Sequence, residues 1–233
     1  MANIAKAAYG LITSSRLAAP EFPPTLQFAR QTIIVTGATS GLGLEAAIHY
    51  VNLGASTVYI TARNSAKGAE AIEAIETRTG TKGKVQSLIL DMDTFAGVLK
   101  FVKDVKANIK SIDVVLLNAG VHTFDFQLSP DGWEKSLQVN TLSTLLLGLA
   151  FMPWMRSVKQ PGQIQHLSFT GSFSHTSVDI LAEEFPKENV LEYFNNEKNK
   201  QSGVKIYAIS KLLLYYGVLE LAKLAIDKDG RYD

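Results

Sequence analysis

Beyond the first thirty or so residues, short β-branched and aliphatic runs alternate with longer stretches whose apolar residues recur every three or four positions. "TIIVTG" (32–37) reads as a strand, and "LGLEAAIHYVNLGA" after it as a helix that stops at Gly54. "STVYITA" (56–62) predicts a second strand, and "SAKGAEAIEAIETRTG" a second helix ending near Gly80. "KVQSLILD" (84–91) and "TFAGVLKFVKDVKAN" repeat the pair, and "IDVVLLNAG" (112–120) is a fourth strand closing in a glycine turn. Helical periodicity then runs from Pro130 to about Arg156, with Pro130 and Asp131 suited to a first helical turn. A strand at about 162–169, an irregular polar segment to about 202 and a last helix over about 203–227 complete the series.

Strands separated by helices of this length indicate a parallel sheet covered on both faces, and right-handed crossovers make it an α/β, doubly wound fold. Residues 1–31 form an N-terminal arm broken by Pro20, Pro23 and Pro24, and residues 32–233 the main domain. The arm's apolar stretch is too short for a signal peptide. No run reaches the about 18 apolar residues of a membrane span, so a cytoplasmic protein is expected.

Composition narrows the chemistry. A hydrophobic fraction of 46% against 19% charged residues is that of a folded globular chain, and a net charge of +1 gives no electrostatic reason to expect nucleic acid as a partner. The absence of cysteine removes disulfides, thiolate catalysis and cysteine-based zinc sites. His49, His122, His166 and His175 lack metal-ligand spacing, so no metal is expected.

The first strand runs into "TGATSGLG" (36–43). Glycine permits positive φ and close approach to the backbone, and a helix starting near Leu42 points unpaired N–H groups at the turn, which suits a pyrophosphate. The spacing T-G-x-x-x-G-x-G resembles that of the short-chain dehydrogenases/reductases. Four further segments carry the same resemblance: "LNAG" (117–120), "LQVN" (137–140), Asp91 at the end of the third strand, and "YAISK" (207–211). The longer connection before "YAISK" is similar to that of fungal secondary-metabolism and retinol-dehydrogenase-like members. The resemblance implies a Rossmann fold with Gly37, Thr39, Ser40, Gly41, Leu42 and Gly43 around the pyrophosphate. It places Asp91 and Met92 at the adenine end, and Asn118, Ala119 and Gly120 along the cofactor.

After the second strand a carboxylate would hold ribose hydroxyls, whereas a cation there favours a 2′-phosphate. "YITARNSAKG" supplies Arg63, then Lys67, and no acidic residue close by, so NADP(H) is favoured over NAD(H).

Tyr207 and Lys211, four apart, share one helix face. An ammonium beside a phenol stabilises the phenolate and equips it to pass a proton to or from a carbonyl oxygen. By the resemblance, Lys211 also holds the nicotinamide ribose, Asn140 carries a water linking Lys211 to solvent, and a serine at the end of the fifth strand holds the substrate oxygen. Ser168 and Ser172 both compete for that role. Ser172 is preferred because Gly171 suits a strand-end turn that exposes the next side chain. His122 is placed near the nicotinamide mouth.

Thirty-five positions separate Ser172 from Tyr207. The insert, at about 173–202, is either a wall of the substrate pocket, with Phe173, His175, Phe185 and Tyr193 as liners, or a solvated loop. Family members continue past the Tyr/Lys helix with a sixth strand and more, whereas this chain ends in "DKDGRYD". The last strands of the sheet are therefore expected to be lacking and the fifth strand's edge open, unless the arm or a second subunit covers it. The apolar "LLLYYGVLELAKL" suggests helix packing in a homodimer or higher homo-oligomer. The expected activity is NADPH-dependent reduction of a ketone or aldehyde, reversibly alcohol oxidation, on a biosynthetic small molecule. Non-redox isomerisation or cyclisation in the same cleft, and cofactor or partner binding without turnover, stay open.

Overall fold

A computed structural model of the chain describes residues 22–182 and 185–226. The first part of the arm and the terminal "DKDGRYD" therefore lie outside the described residues. Strands β1 (Thr32–Val35), β2 (Thr57–Ala62), β3 (Val85–Ile89), β4 (Val114–Leu117) and β5 (His166–Phe169) form one parallel sheet, ordered β3-β2-β1-β4-β5. The chain leaves β1 towards β2 and β3, then returns to β4 on its other side, so a crevice opens beyond the carboxyl ends of β1 and β4.

Side-chain alternation along β1 sorts the two faces of the sheet. Ile33 and Val35 pack with Val58, Ile60, Ala47, Ile48 and Ile75 beneath helices α1 (Gly41–Asn52) and α2 (Ser65–Thr79). Ile34 packs the other way, with Val115, Leu117, Phe101, Leu147 and Phe151, beneath α3 (Phe95–Asn108) and α4 (Thr144–Val158). A short α5 (Val190–Phe194) and the long α6 (Gly203–Leu224) follow. The doubly wound sheet expected from the sequence is the one that forms.

Helix ends follow their local chemistry. Asn64 and Thr94 cap α2 and α3 by accepting from Lys67 N–H and Gly97 N–H, and Gly80 closes α2 in the left-handed region at φ 67°. β5 is shorter than the run 162–169 because Gly162, at φ 77°, turns the chain. Next to that turn the Gln163 and Gln165 side chains donate to the Ile112 carbonyl.

The long helix begins later than its periodicity predicts. Pro130 and Asp131 belong to a turn closed by Gly132 N–H on the Ser129 carbonyl, with Gly132 at φ 82°. The Asp131 carboxylate accepts from Phe95 N–H (2.6 Å) at the start of α3 rather than capping its own helix. Residues Leu137–Ser143 then form a π-helical segment that leads into α4. Thr144 Oγ1 donates to the Val139 carbonyl across the widened turn (2.8 Å).

The insert is not simply a solvated loop. Phe194 is buried with Leu137, Ile206 and Ile209, and Val178, Phe185, Val190 and Tyr193 pack around them. Asn195 accepts from Glu134 N–H (2.6 Å) and donates to the Gly132 carbonyl (3.0 Å), fastening the insert to the turn before the π-segment. Helices α4 and α6 approach closely where glycine allows: an added Cβ on Gly217 would lie 2.3 Å from Leu145 Cδ1. The described part of the arm does not reach β5. Phe28 N–H donates to the Leu53 carbonyl, its ring meets Tyr50, and Phe22 meets His49, all at the far side of the sheet.

Candidate active site

The crevice is a cleft of about 1190 Å³ running from Arg63 at one end to Tyr207 at the other. Of the residues singled out from sequence, Gly37, Thr39, Ser40, Leu42, Arg63, Asp91, Met92, Asn118, Ala119, Gly120, Ser172, Tyr207 and Lys211 line it. Gly41, Gly43 and Asn140 do not: Gly43 and Asn140 are buried behind it, and Gly41 is exposed at the start of α1 with nothing near its Cβ position.

The glycine turn explains its own composition. Gly37 has φ 65°, and a Cβ there would lie 2.7 Å from Ala119 Cα. Gly43 is pressed under the turn, where a Cβ would lie 2.4 Å from the Gly37 carbonyl oxygen and 2.5 Å from Asn118 Nδ2. Thr36 Oγ1 accepts from Asn118 N–H (2.9 Å) and Ala119 N–H (3.0 Å), while Asn118 Nδ2 donates to the Thr36 carbonyl (3.0 Å). These bonds lock the ends of β1 and β4 together. Ser40 makes no side-chain cap, so the first N–H groups of α1 face the cleft without a partner from that side chain. Crowded glycines, an open helix N-terminus and a long cleft fit a dinucleotide pyrophosphate.

At the end of β2, Arg63 is exposed and makes no hydrogen bond or ion pair among the described residues. Lys67 differs from expectation. Its ammonium is paired with Glu70 (2.7 Å), and Glu70 also lines the cleft, so an acidic residue does stand close by. An i,i+3 pair was readable from the sequence. The Asp91 carboxylate accepts from Asp93 N–H (2.9 Å) and from the Thr94 hydroxyl (3.2 Å) while still facing the cleft. The Met92 carbonyl accepts from Ser143 Oγ (2.7 Å).

At the other end, Lys211 is buried, and its Nζ donates to the Thr170 carbonyl (2.9 Å) and stands 5.9 Å from the Tyr207 ring centroid. Burial pushes the Lys211 ammonium below its ordinary pKa. Asn140 is fully buried. Its Oδ1 accepts from Val121 N–H (2.8 Å), and its Nδ2 donates to the Val121 carbonyl (2.9 Å) and to Ser210 Oγ (2.9 Å). Ser210 Oγ donates in turn to the Tyr207 carbonyl (2.8 Å), so the π-segment and the Tyr/Lys helix are stitched together at the residue before Lys211. Sequence reading passed over Thr170 and Ser210; the second carried a signal, a hydroxyl three residues after Tyr207 on the same helix. Ser172 lines the cleft and its Oγ lies 2.8 Å from Ser174 Oγ. Ser168 sits within β5, paired with Leu116 and away from the cleft lining. None of Phe173, His175, Phe185 and Tyr193 lines this cleft: Phe185 and Tyr193 border a separate cavity of about 320 Å³, and His175 stacks on Tyr215.

A family model described as short chain dehydrogenase matches residues 31–176. The chain belongs to that family. Short-chain dehydrogenase/reductase ffsI of Aspergillus flavipes is 35% identical over 208 residues, covering 88% of this chain and 61% of its own. Short-chain dehydrogenase/reductase phmF of Phaeosphaeria nodorum is 36% identical over 212 residues, covering 90% and 62%. This short-chain dehydrogenase thus spans about three fifths of the length of those relatives. Among solved structures, a metagenomic short-chain oxidoreductase in complex with NADP is 25% identical at a TM-score of 0.62, covering 84% of this chain and 77% of that one. The oxidoreductase yciK of E. coli, 24% identical at a TM-score of 0.63 and covering 88% and 75%, shares the fold. No helix among the described residues is long and apolar enough to cross a membrane.

Proposed function

We propose that this short-chain dehydrogenase is an NADP(H)-dependent reductase of a ketone or aldehyde, working on a biosynthetic small molecule. The observation that carries this reading is the convergence of Ser172, Tyr207 and Lys211 on one end of the cleft whose other end holds the crowded glycine turn. When bound, the dinucleotide supplies or accepts the hydride. Gly37, Thr39, Ser40 and Leu42, backed by Gly43 and with Gly41 turning the chain at φ 57°, would hold its pyrophosphate, and Asp91 and Met92 its adenine. Asn118, Ala119 and Gly120, just beyond the end of β4, would flank it. Unpartnered Arg63 supports NADP(H), because a guanidinium matches a 2′-phosphate; Lys67 supports it less, being neutralised by Glu70. The relative solved with NADP points the same way.

The Tyr207 phenol donates the proton that the carbonyl oxygen needs as its carbon is reduced, and Ser172 holds that oxygen. Lys211, its ammonium fixed on the Thr170 carbonyl, favours the phenolate left behind. Asn140 acts from behind the cleft: its amide sets Val121 on one side and Ser210 on the other. Apolar residues exposed on α6, among them Tyr215, Tyr216 and Leu219, support self-association as part of this reading.

The test is NADPH binding by fluorescence, followed by loss of nicotinamide absorbance with a panel of carbonyl compounds. Tyr207→Phe is expected to lower kcat/KM by about 10²–10⁴-fold while leaving NADPH affinity in place. No binding at millimolar NADPH would sink the proposal, and product formed without NADPH consumption would replace it with non-redox chemistry.

A further inference from the structure

We infer that His122 contacts the substrate and makes the site favour carbonyl compounds bearing a second oxygen function, hydroxyl or carbonyl, on the neighbouring or next-but-one carbon. This rests on the reductase reading and adds the substrate class to it. His122 lines the cleft, and its ring stands 5.2 Å from that of Tyr207, inclined at 48°. Neither imidazole nitrogen has a hydrogen-bond partner among the described residues, although the segment that carries the ring is held firmly.

Val121, the preceding residue, is gripped through both its N–H and its carbonyl by the Asn140 amide. Thr123, the next, has its Oγ1 2.9 Å from Ser136 Oγ and 3.3 Å from Glu134 Oε1. From below, Gly203 fits so closely that a Cβ would lie 2.3 Å from the Thr123 carbonyl oxygen. The ring is exposed to the cleft while the chain on either side of it is fixed, so its two nitrogens are presented to a molecule that enters the cleft.

A neutral imidazole offers one donor and one acceptor, which matches a hydroxyl or a second carbonyl. With the Tyr207 ring beside it, two hydrogen-bonding groups stand side by side within the span of one small molecule. The first addresses the reacting oxygen, and the second an oxygen one or two carbons away. Phe124, whose ring lies 5.0 Å from that of His122 and which is 79% exposed, gives the rest of such a molecule an apolar edge.

The experiment compares kcat/KM for a plain ketone with that for its α- and β-hydroxy and α- and β-keto counterparts of equal carbon skeleton, with NADPH affinity measured on each preparation to report an intact cleft. The wild-type chain is expected to favour the oxygenated compounds by about tenfold, the worth of one hydrogen bond. H122F should collapse that ratio, and H122Q, which keeps a donor and an acceptor, should restore part of it. A wild-type ratio near one overturns the inference while the reductase reading stands, as does a ratio unchanged in H122F. If none of the ketones consumes NADPH, the reductase reading falls and takes the inference with it.

Discussion

At the dinucleotide end of the cleft the contacts that resist change are made by backbone: added carbons on Gly37 and Gly43 would meet Ala119 Cα at 2.7 Å and the Gly37 carbonyl oxygen at 2.4 Å. At the Tyr207 end the groups that face the cleft are side-chain tips, carried on a helix whose Ser210 joins it to Asn140 of the π-segment. A backbone site fails sterically and as a whole, because a main chain cannot step aside without unlocking β1 from β4. A side-chain site can lose one function while its frame persists. The difference says which substitutions should cost binding and which should cost turnover.

The largest effect is expected from Gly43→Ala. The new methyl has only the Gly37 carbonyl and the Asn118 amide to push against, and both belong to the lock between β1 and β4. Overpacking of this kind costs about 1–3 kcal/mol. NADPH binding should fall below detection, together with a lowered Tm, in fluorescence titration and thermal melting of the same sample. An NADPH affinity within threefold of wild type would show that the turn yields and that the backbone account of this end is wrong.

Lys211→Met probes the other end and separates turnover from stability. Activity should drop by about 10²-fold or more, since the ammonium that favours the phenolate is gone. Stability should behave differently, because burial holds the folded-state pKa of Lys211 below its ordinary 10.5. Between the two values the unfolded chain holds more protons than the folded one, so wild-type stability gains from Lys211 as pH rises through that window. Below the window the charged ammonium is a burden on the fold. The variant should therefore be the more stable of the two near neutrality, with the gap closing towards alkaline pH. Urea midpoints across a pH series decide it, and parallel curves for the two proteins would contradict the burial argument.

The same contrast explains what could be read from the residues alone. The β-branched runs around Ile33–Val35 and Val58–Ile60 announce their strands, because a sheet buried on both faces leaves few polar positions. Crowded glycines and a Tyr/Lys pair one turn apart are local patterns, and local patterns survive in a sequence. Pro130 and Asp131 misled because their preference for a helix start is weak, and Asp131 is engaged by Phe95, thirty-six residues away. Pairing of Lys67 with Glu70 was legible at i,i+3 and outweighs the impression of a purely basic cluster. The burial of Phe194 and the grip of Asn195 on the 132–134 turn had no local signal, so the residues alone left the insert open between a pocket wall and a solvated loop.

That grip gives the smallest and most discriminating prediction. Asn195→Ala removes two hydrogen bonds, one from the N–H of buried Glu134 and one to the exposed Gly132 carbonyl, so the cost should be about 1–3 kcal/mol. Amide exchange across 190–199 should quicken while NADPH affinity holds. The second half of that expectation can fail, because a continuous polar path leads inward from the gripped turn. Ser129 Oγ donates to Gln138 Oε1, Gln138 Nε2 donates to Ser143 Oγ, and Ser143 Oγ donates to the carbonyl of Met92 in the wall of the cleft. Each of those links is satisfied without Asn195, and Gln138 and Ser143 are fully buried, so the path has no second arrangement to adopt when the grip is released. A fall in NADPH affinity on Asn195→Ala would mean that a second arrangement exists, and the two ends of the cleft would then be coupled through the π-segment rather than built independently.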